Sequence, residues 1–132
     1  MQKNALIGNV VHLHSMDRFK YAFNGLKIFF AEESNAKTHL ALSLFTIGAG
    51  AYFEVSPLEW LAVFICIAIV FTAEALNTAI ERICDKIEPN KDDKIRNIKD
   101  IAAGAVLLSS VFAAIVGAII FIPHLTDLFL SK

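Results

Sequence analysis

Residues 58–85 read LEWLAVFICIAIVFTAEALNTAIERICD, and this stretch decides what kind of protein the chain is. From Leu61 to Ala73 it is uncharged and apolar; it follows Pro57 closely, and Trp60 stands near its start, where an indole ring favours a membrane–water interface. Such a run predicts a helix in hydrocarbon. Its second half breaks the pattern, because Glu74, Asn77, Glu81 and Asp85 recur at spacings of three and four. At about 100° per residue these four fall within an arc of roughly 80° on one helix face. An ionisable group costs ~2.5–3.5 kcal/mol at the centre of a span and a fraction of that near the interface, so a residue placed there usually has a task.

Outward from this helix, predicted to cross the membrane over residues 58–84, the flanking segments share its solvent. Ile101 to Ile122 is uncharged and ends at Pro123, which predicts a span over 100–122. Residues 38–53 are also uncharged, with His39 at the entrance, and predict a further span slightly short of the usual ~20 residues. In residues 17–34 the apolar Phe19, Ala22, Phe23, Leu26, Phe29 and Phe30 recur at helical spacing, with Arg18, Lys20, Asn24 and Lys27 on other faces. That pattern suits an amphipathic helix lying in the membrane interface. Residues 86–99 carry Pro89, Asn90, Asp92 and Asp93 and read as a polar loop. The expected fold is a single-domain all-α membrane protein over 1–132, with an N-terminal interfacial helix and three transmembrane helices. A hydrophobic content of 56% and a mean hydropathy of +0.58 agree, being too apolar for an ordinary soluble domain of this size.

The net charge of −1 conceals an asymmetry, since eleven of the twelve Lys and Arg residues lie in 1–37 or 82–99. The connection Glu54–Glu59 has two acids and no base, whereas Lys86–Lys99 has five bases. The positive-inside rule therefore puts the N-terminus and residues 86–99 on the cytoplasmic side of the inner membrane, and the C-terminus on the far side. These short basic blocks lack the broad excess of charge that nucleic-acid binding needs, so no nucleic-acid partner is expected. Cys66 and Cys84, eighteen residues apart on one expected helix, stand roughly 27 Å apart and do not bridge. Met1–Met16 lacks the apolar core and small-residue cleavage site of a removed secretory signal.

Chemistry concentrates on the stripe. Asn and Glu can simply glue helices together, but three carboxylates on one face repel one another unless a cation sits between them. Mg²⁺ arriving with a nucleoside triphosphate would supply that charge. Glu74 lies about 10 Å deeper in the membrane than Glu81, the depth of a lipid hydroxyl, where a carboxylate suits a general base. Glu33 closes the interfacial helix at the same membrane face, so a Glu33–Glu81 metal pair is open if that helix folds back. Lys99 and Asp100, at the start of the last span, reach the same level; Lys99 suits a phosphate, although snorkelling explains it equally well. His12 and His14 form an H-x-H, and neither a P-loop nor a protein-kinase glycine loop occurs. A proton-coupled transporter using Glu74 and a non-catalytic assembly subunit remain the alternatives, though the chain has no internal repeat of the transporter kind.

Glu74-Ala-Leu-Asn-Thr-Ala-Ile-Glu81 followed by Asp85, and Lys99-Asp100-Ile-Ala-Ala-Gly-Ala-Val106 after the loop, resemble the bacterial diacylglycerol kinase and undecaprenol kinase family. Gly25-Leu26 and Glu33-Ser-Asn-Ala-Lys-Thr-His39 extend the resemblance upstream, to cover about Arg18 to Pro123. The resemblance implies a homotrimer with active sites between subunits, and transfer of the γ-phosphoryl group of MgATP to a membrane lipid alcohol. It implies Glu74 as general base, Glu33 and Glu81 as Mg²⁺-bridging carboxylates and Asn77 as the neighbour orienting base or substrate. Lys99 and Asp100, with Tyr21, Asp85 and Asn90, would match nucleotide-binding positions. Ala36 and Lys37 depart from the family pattern, where an aromatic residue and Arg are frequent, and leave the substrate open between undecaprenol and diacylglycerol. His39 and the Asn-Thr-Ala-Ile-Glu wording look more like the undecaprenol enzymes.

Overall fold

The computed structural model describes residues 18–130, and every regular element among them is a helix. They are α1 (18–32), α2 (Ser34–Tyr52), α3 (Pro57–Ile87) and α4 (Asp93–Leu130). The chain divides into two compact units, Met1–Ser34 and Asn35–Lys132. In the first unit α1 closes with Glu33 N donating to Phe29 O at 3.0 Å; Phe29 is buried and meets Phe30 edge to face, while Phe19, Tyr21 and Phe23 are exposed. Exposed aromatics beside basic residues suit an interfacial helix. His12 and His14 lie outside the described residues.

The second unit is built by its turns. α2 ends where Glu54 takes a left-handed φ of 52°, and Val55 N donates back to Gly50 O at 3.1 Å, closing the carbonyl end as a Schellman-type cap does. Two residues later Ser56 starts α3 with a full capping box: Glu59 N donates to Ser56 Oγ and Ser56 N to Glu59 Oε2 at 2.7 Å. Pro57, with its fixed φ and absent N–H, occupies the first turn where neither is a handicap. α2 runs back beside α3, with His39 against Phe71 at one end and Gly50 against Trp60 at the other. At Gly50 a Cβ would stand 2.9 Å from the indole ring, so only a hydrogen fits.

α3 and α4 pack along their lengths in an antiparallel pair. Asp85 of α3 meets Lys99 of α4, and Val63 shares a buried cluster with Ile120 and Val55. Twenty-two residues back along α3 thus match twenty-one forward along α4, so the two helices keep one register from end to end. Phe53, Trp60, Ile67, Val116 and Phe121 complete the apolar cluster, while Phe45, Leu61, Ile69, Leu107 and Ile119 face outward exposed. Such an outer surface suits hydrocarbon or the apolar face of another membrane helix.

Three boundaries differ from expectation. The loop is only residues 88–92, because Asp92 Oδ1 accepts from Lys94 N and Ile95 N at 2.8 and 2.9 Å and caps α4, which starts at Asp93, seven residues before Asp100. α4 also passes Pro123: the proline removes one backbone donor, His124 Nδ1 lies 2.8 Å from Ile120 O, and Thr126 Oγ1 donates to Pro123 O. α2 begins at Ser34 rather than at residue 38. Among the described residues two helices, α3 and α4, are long and apolar enough to cross a membrane, where three spans were expected. α2, Ser34–Tyr52, has 19 residues, ~28 Å of helix against a ~30 Å hydrocarbon core, but its first turns are polar and its uncharged stretch begins at Thr38.

Ser56→Ala should lower unfolding stability by about 1 kcal/mol through loss of the cap. Ser56→Thr should stay near the parent; thermal melts in detergent followed by circular dichroism would read both.

Candidate active site

The polar stripe of α3 is where the apolar packing stops. Glu74 is 2% exposed and Asn77 and Thr78 are 6% and 8% exposed, whereas Glu81 is half-buried and Asp85 open to solvent. Burial therefore fades along one helix face, from a carboxylate almost without solvent contact to one in water. Thr78 joins the buried set one turn after Glu74, a place that its i+4 spacing already marks.

Asn77 Nδ2 donates to Glu81 Oε1 at 3.2 Å. A carboxylate accepts and does not donate, which fixes the amide's orientation and leaves Asn77 Oδ1, buried, with no hydrogen-bond partner among the described residues. One turn nearer the end of α3, Lys99 Nζ donates to Asp85 Oδ1 at 2.9 Å across the α3–α4 pair. Lys99 lies flatter against the protein than Asp85, with side-chain exposures of 33% and 67%. An ammonium has three donors, so this bond leaves two for an incoming anion.

The structure thus brings together Glu74, Asn77 and Glu81 on one face, and Asp85 with Lys99 between helices. Asp100 follows Lys99 exposed. Asn90 stands in the loop, where its side-chain and backbone nitrogens both donate to Glu88 Oε1 at 2.9 Å. Tyr21, exposed, and Glu33, half-buried, belong to the first unit, and Glu81 to the second. Among the described residues no group of three or more His, Cys, Asp or Glu side chains is arranged to hold a metal ion.

This gradient of carboxylates lies within a match, over residues 20–121, to the model of the prokaryotic diacylglycerol kinase family. The chain belongs to that family. Relatives include the undecaprenol kinase of Bacillus subtilis (strain 168), 34% identical over 118 residues, covering 86% of this chain and 96% of the relative. The diacylglycerol kinase of Synechocystis sp. is 32% identical over 83% of this chain and 63% of its own length. The diacylglycerol kinase of Helicobacter pylori is 29% identical over 73% of this chain and 75% of its own length. Membership makes the chain an enzyme of the lipid-kinase class and a membrane protein.

Asn77→Asp should destabilise the fold, because a second carboxylate would replace the donor that faces Glu81. Lowering the pH should reverse part of the loss, as the pair comes to share a proton; melts across a pH series would show whether it does.

Proposed function

We propose that the chain transfers the γ-phosphoryl group of MgATP to the hydroxyl of a membrane lipid alcohol, undecaprenol or diacylglycerol, giving undecaprenyl phosphate or phosphatidic acid. The observation that carries this is the ordering along α3 and α4: a buried carboxylate, then an amide–carboxylate pair, then an exposed Asp85–Lys99 ion pair. A lipid hydroxyl comes from the membrane and a nucleotide from water, and the stripe has a group for each in that sequence.

Glu74 accepts the hydroxyl proton as the oxygen attacks, a role worth about 10²–10⁴ in rate for a well-placed base. Asn77 holds Glu81 in place and lies between the two carboxylates. Lys99 and Asp100 take the nucleotide, with Tyr21 and Asp85 around it and Asn90 reaching it through its Oδ1, which the two bonds to Glu88 do not use. Mg²⁺ is held by one or two carboxylates plus phosphate oxygens as a rule, so Glu81 and Glu33 are a sufficient donor set. Glu81 keeps its second oxygen for that purpose while Oε1 takes the Asn77 amide. When bound, Mg²⁺ neutralises phosphate charge as the phosphoryl group moves. The family resemblance implies this carboxylate pair, and with it a homotrimer whose active sites lie between subunits. Basic residues in 86–99 put this end at the cytoplasmic face of the inner membrane, with the N-terminus on the same side.

The test is phosphorylation of undecaprenol and of diacylglycerol, side by side in one detergent, by purified protein with MgATP. Glu74→Gln should lose at least a hundredfold in turnover while keeping nucleotide affinity. Glu81→Ala should weaken Mg²⁺-dependent ATP binding. Full activity in both variants would remove these roles.

A further inference from the structure

The ion pair of Asp85 and Lys99 joins α3 to α4 at 2.9 Å, with the Asp85 side chain 67% exposed. Exposed pairs add little to stability, so the reason for this one lies elsewhere. Its two partners differ in reach. Aspartate has a short side chain, rooted here in the last turns of α3, whereas lysine carries its ammonium on a flexible four-carbon stem. The aspartate is therefore the fixed point of the bond, and the lysine is the group that is placed.

Where the lysine is placed connects it to the stripe. Besides Asp85, its ammonium feels the charge of Glu81, which stands one turn earlier on the same face of α3. Glu81 is the carboxylate assigned above to the Mg²⁺ of the nucleotide. Phosphate oxygens held by that ion come within the neighbourhood of Lys99, which has given one donor to Asp85 Oδ1 and keeps two.

Asp85 itself has nothing to offer a phosphate. Carboxylate and phosphate are both acceptors and both negative, so no hydrogen bond forms between them and their charges repel. What Asp85 can do is aim the cation beside it. A lysine free to roam would have to be ordered when the nucleotide arrives, whereas one already held loses less freedom on binding.

We infer that Asp85 is a positioning residue for nucleotide binding: its carboxylate holds Lys99 Nζ at the solvent end of the stripe, with two donors left for the phosphates, and it acts on the nucleotide only through Lys99. This rests on the kinase function proposed above. The sign of its effect then depends on Lys99. With the lysine present Asp85 strengthens binding, but without it Asp85 is a bare negative charge beside a negative ligand. Removing Asp85 from a protein that already lacks Lys99 should therefore improve nucleotide binding, the reverse of its effect in the parent.

Five full-length proteins test this: the parent, Asp85→Ala, Asp85→Asn, Lys99→Ala, and the double variant Asp85→Ala with Lys99→Ala. MgATP binding is measured in detergent without lipid, and phosphorylation of undecaprenol and of diacylglycerol is measured alongside. Asp85→Ala should weaken MgATP binding about tenfold and Lys99→Ala more, the scale of a hydrogen bond to a charged group. The double variant should bind about threefold more tightly than Lys99→Ala alone, a non-additivity expected only of directly coupled residues. Asp85→Asn keeps an acceptor for Lys99 and should lose less than Asp85→Ala. In Asp85→Ala the KM for MgATP should rise with the dissociation constant, while the KM for the lipid alcohol and the Mg²⁺ concentration giving half-maximal rate stay at the parent's values. Additive losses, with the double variant the weakest binder, overturn the inference, as do equal losses in Asp85→Asn and Asp85→Ala. A raised Mg²⁺ requirement in Asp85→Ala also overturns it, by making Asp85 a metal ligand. A parent that phosphorylates neither alcohol removes the kinase function itself.

Discussion

The fixed register between α3 and α4 is the constraint on which the rest depends. It is held at one end by the Val55, Val63 and Ile120 cluster, and at the other by the bond from Lys99 to Asp85. Apolar packing in a membrane has no hydrophobic drive behind it, so close fit and a few polar contacts must carry the pairing. A slip of one turn, about 5.4 Å, would part Lys99 from Asp85 and set Glu74 against a different level of α4. The ion pair is exposed and adds little stability by itself, but it allows one alignment and penalises its neighbours.

Much of this was legible in the sequence, and what was missed shares a cause. The stripe of Glu74, Asn77, Glu81 and Asp85 could be placed on one face because all four belong to one uninterrupted helix, where spacing converts directly to angle. Family motifs then pointed to the right enzyme class. The helix ends were harder. Residues 93–99 look like loop by their charge, yet Ile95, Ile98 and Ala102 continue a helical period and Asp92 supplies the cap. Pro123 looks like a terminator, but it costs α4 one donor and neighbouring side chains bond the carbonyls around it.

Ser110 had no signal at all in the sequence, since a serine in an apolar helix normally bonds its own backbone. Its buried Oγ has no hydrogen-bond partner among the described residues, which only the packing of the helices reveals. Asn77 is intermediate: its position was legible, whereas its orientation depends on which partner Glu81 allows it. Asn90, grouped in sequence with the nucleotide residues, is occupied by Glu88 through a purely local contact. Local hydrogen bonding of Asn in turns competes with any longer-range role.

The contact of Gly50 with Trp60 bears on how the family can vary. The ring fills the space that a side chain at position 50 would need, and Trp60 in turn stacks on Phe64. Two positions separated by a sharp turn thus share one fixed volume. Relatives are free to divide that volume differently, but a larger residue at one position obliges a smaller one at the other. Across divergent sequences these two sites should drift as a pair, and a chimera joining α2 of one relative to α3 of another would fail there first.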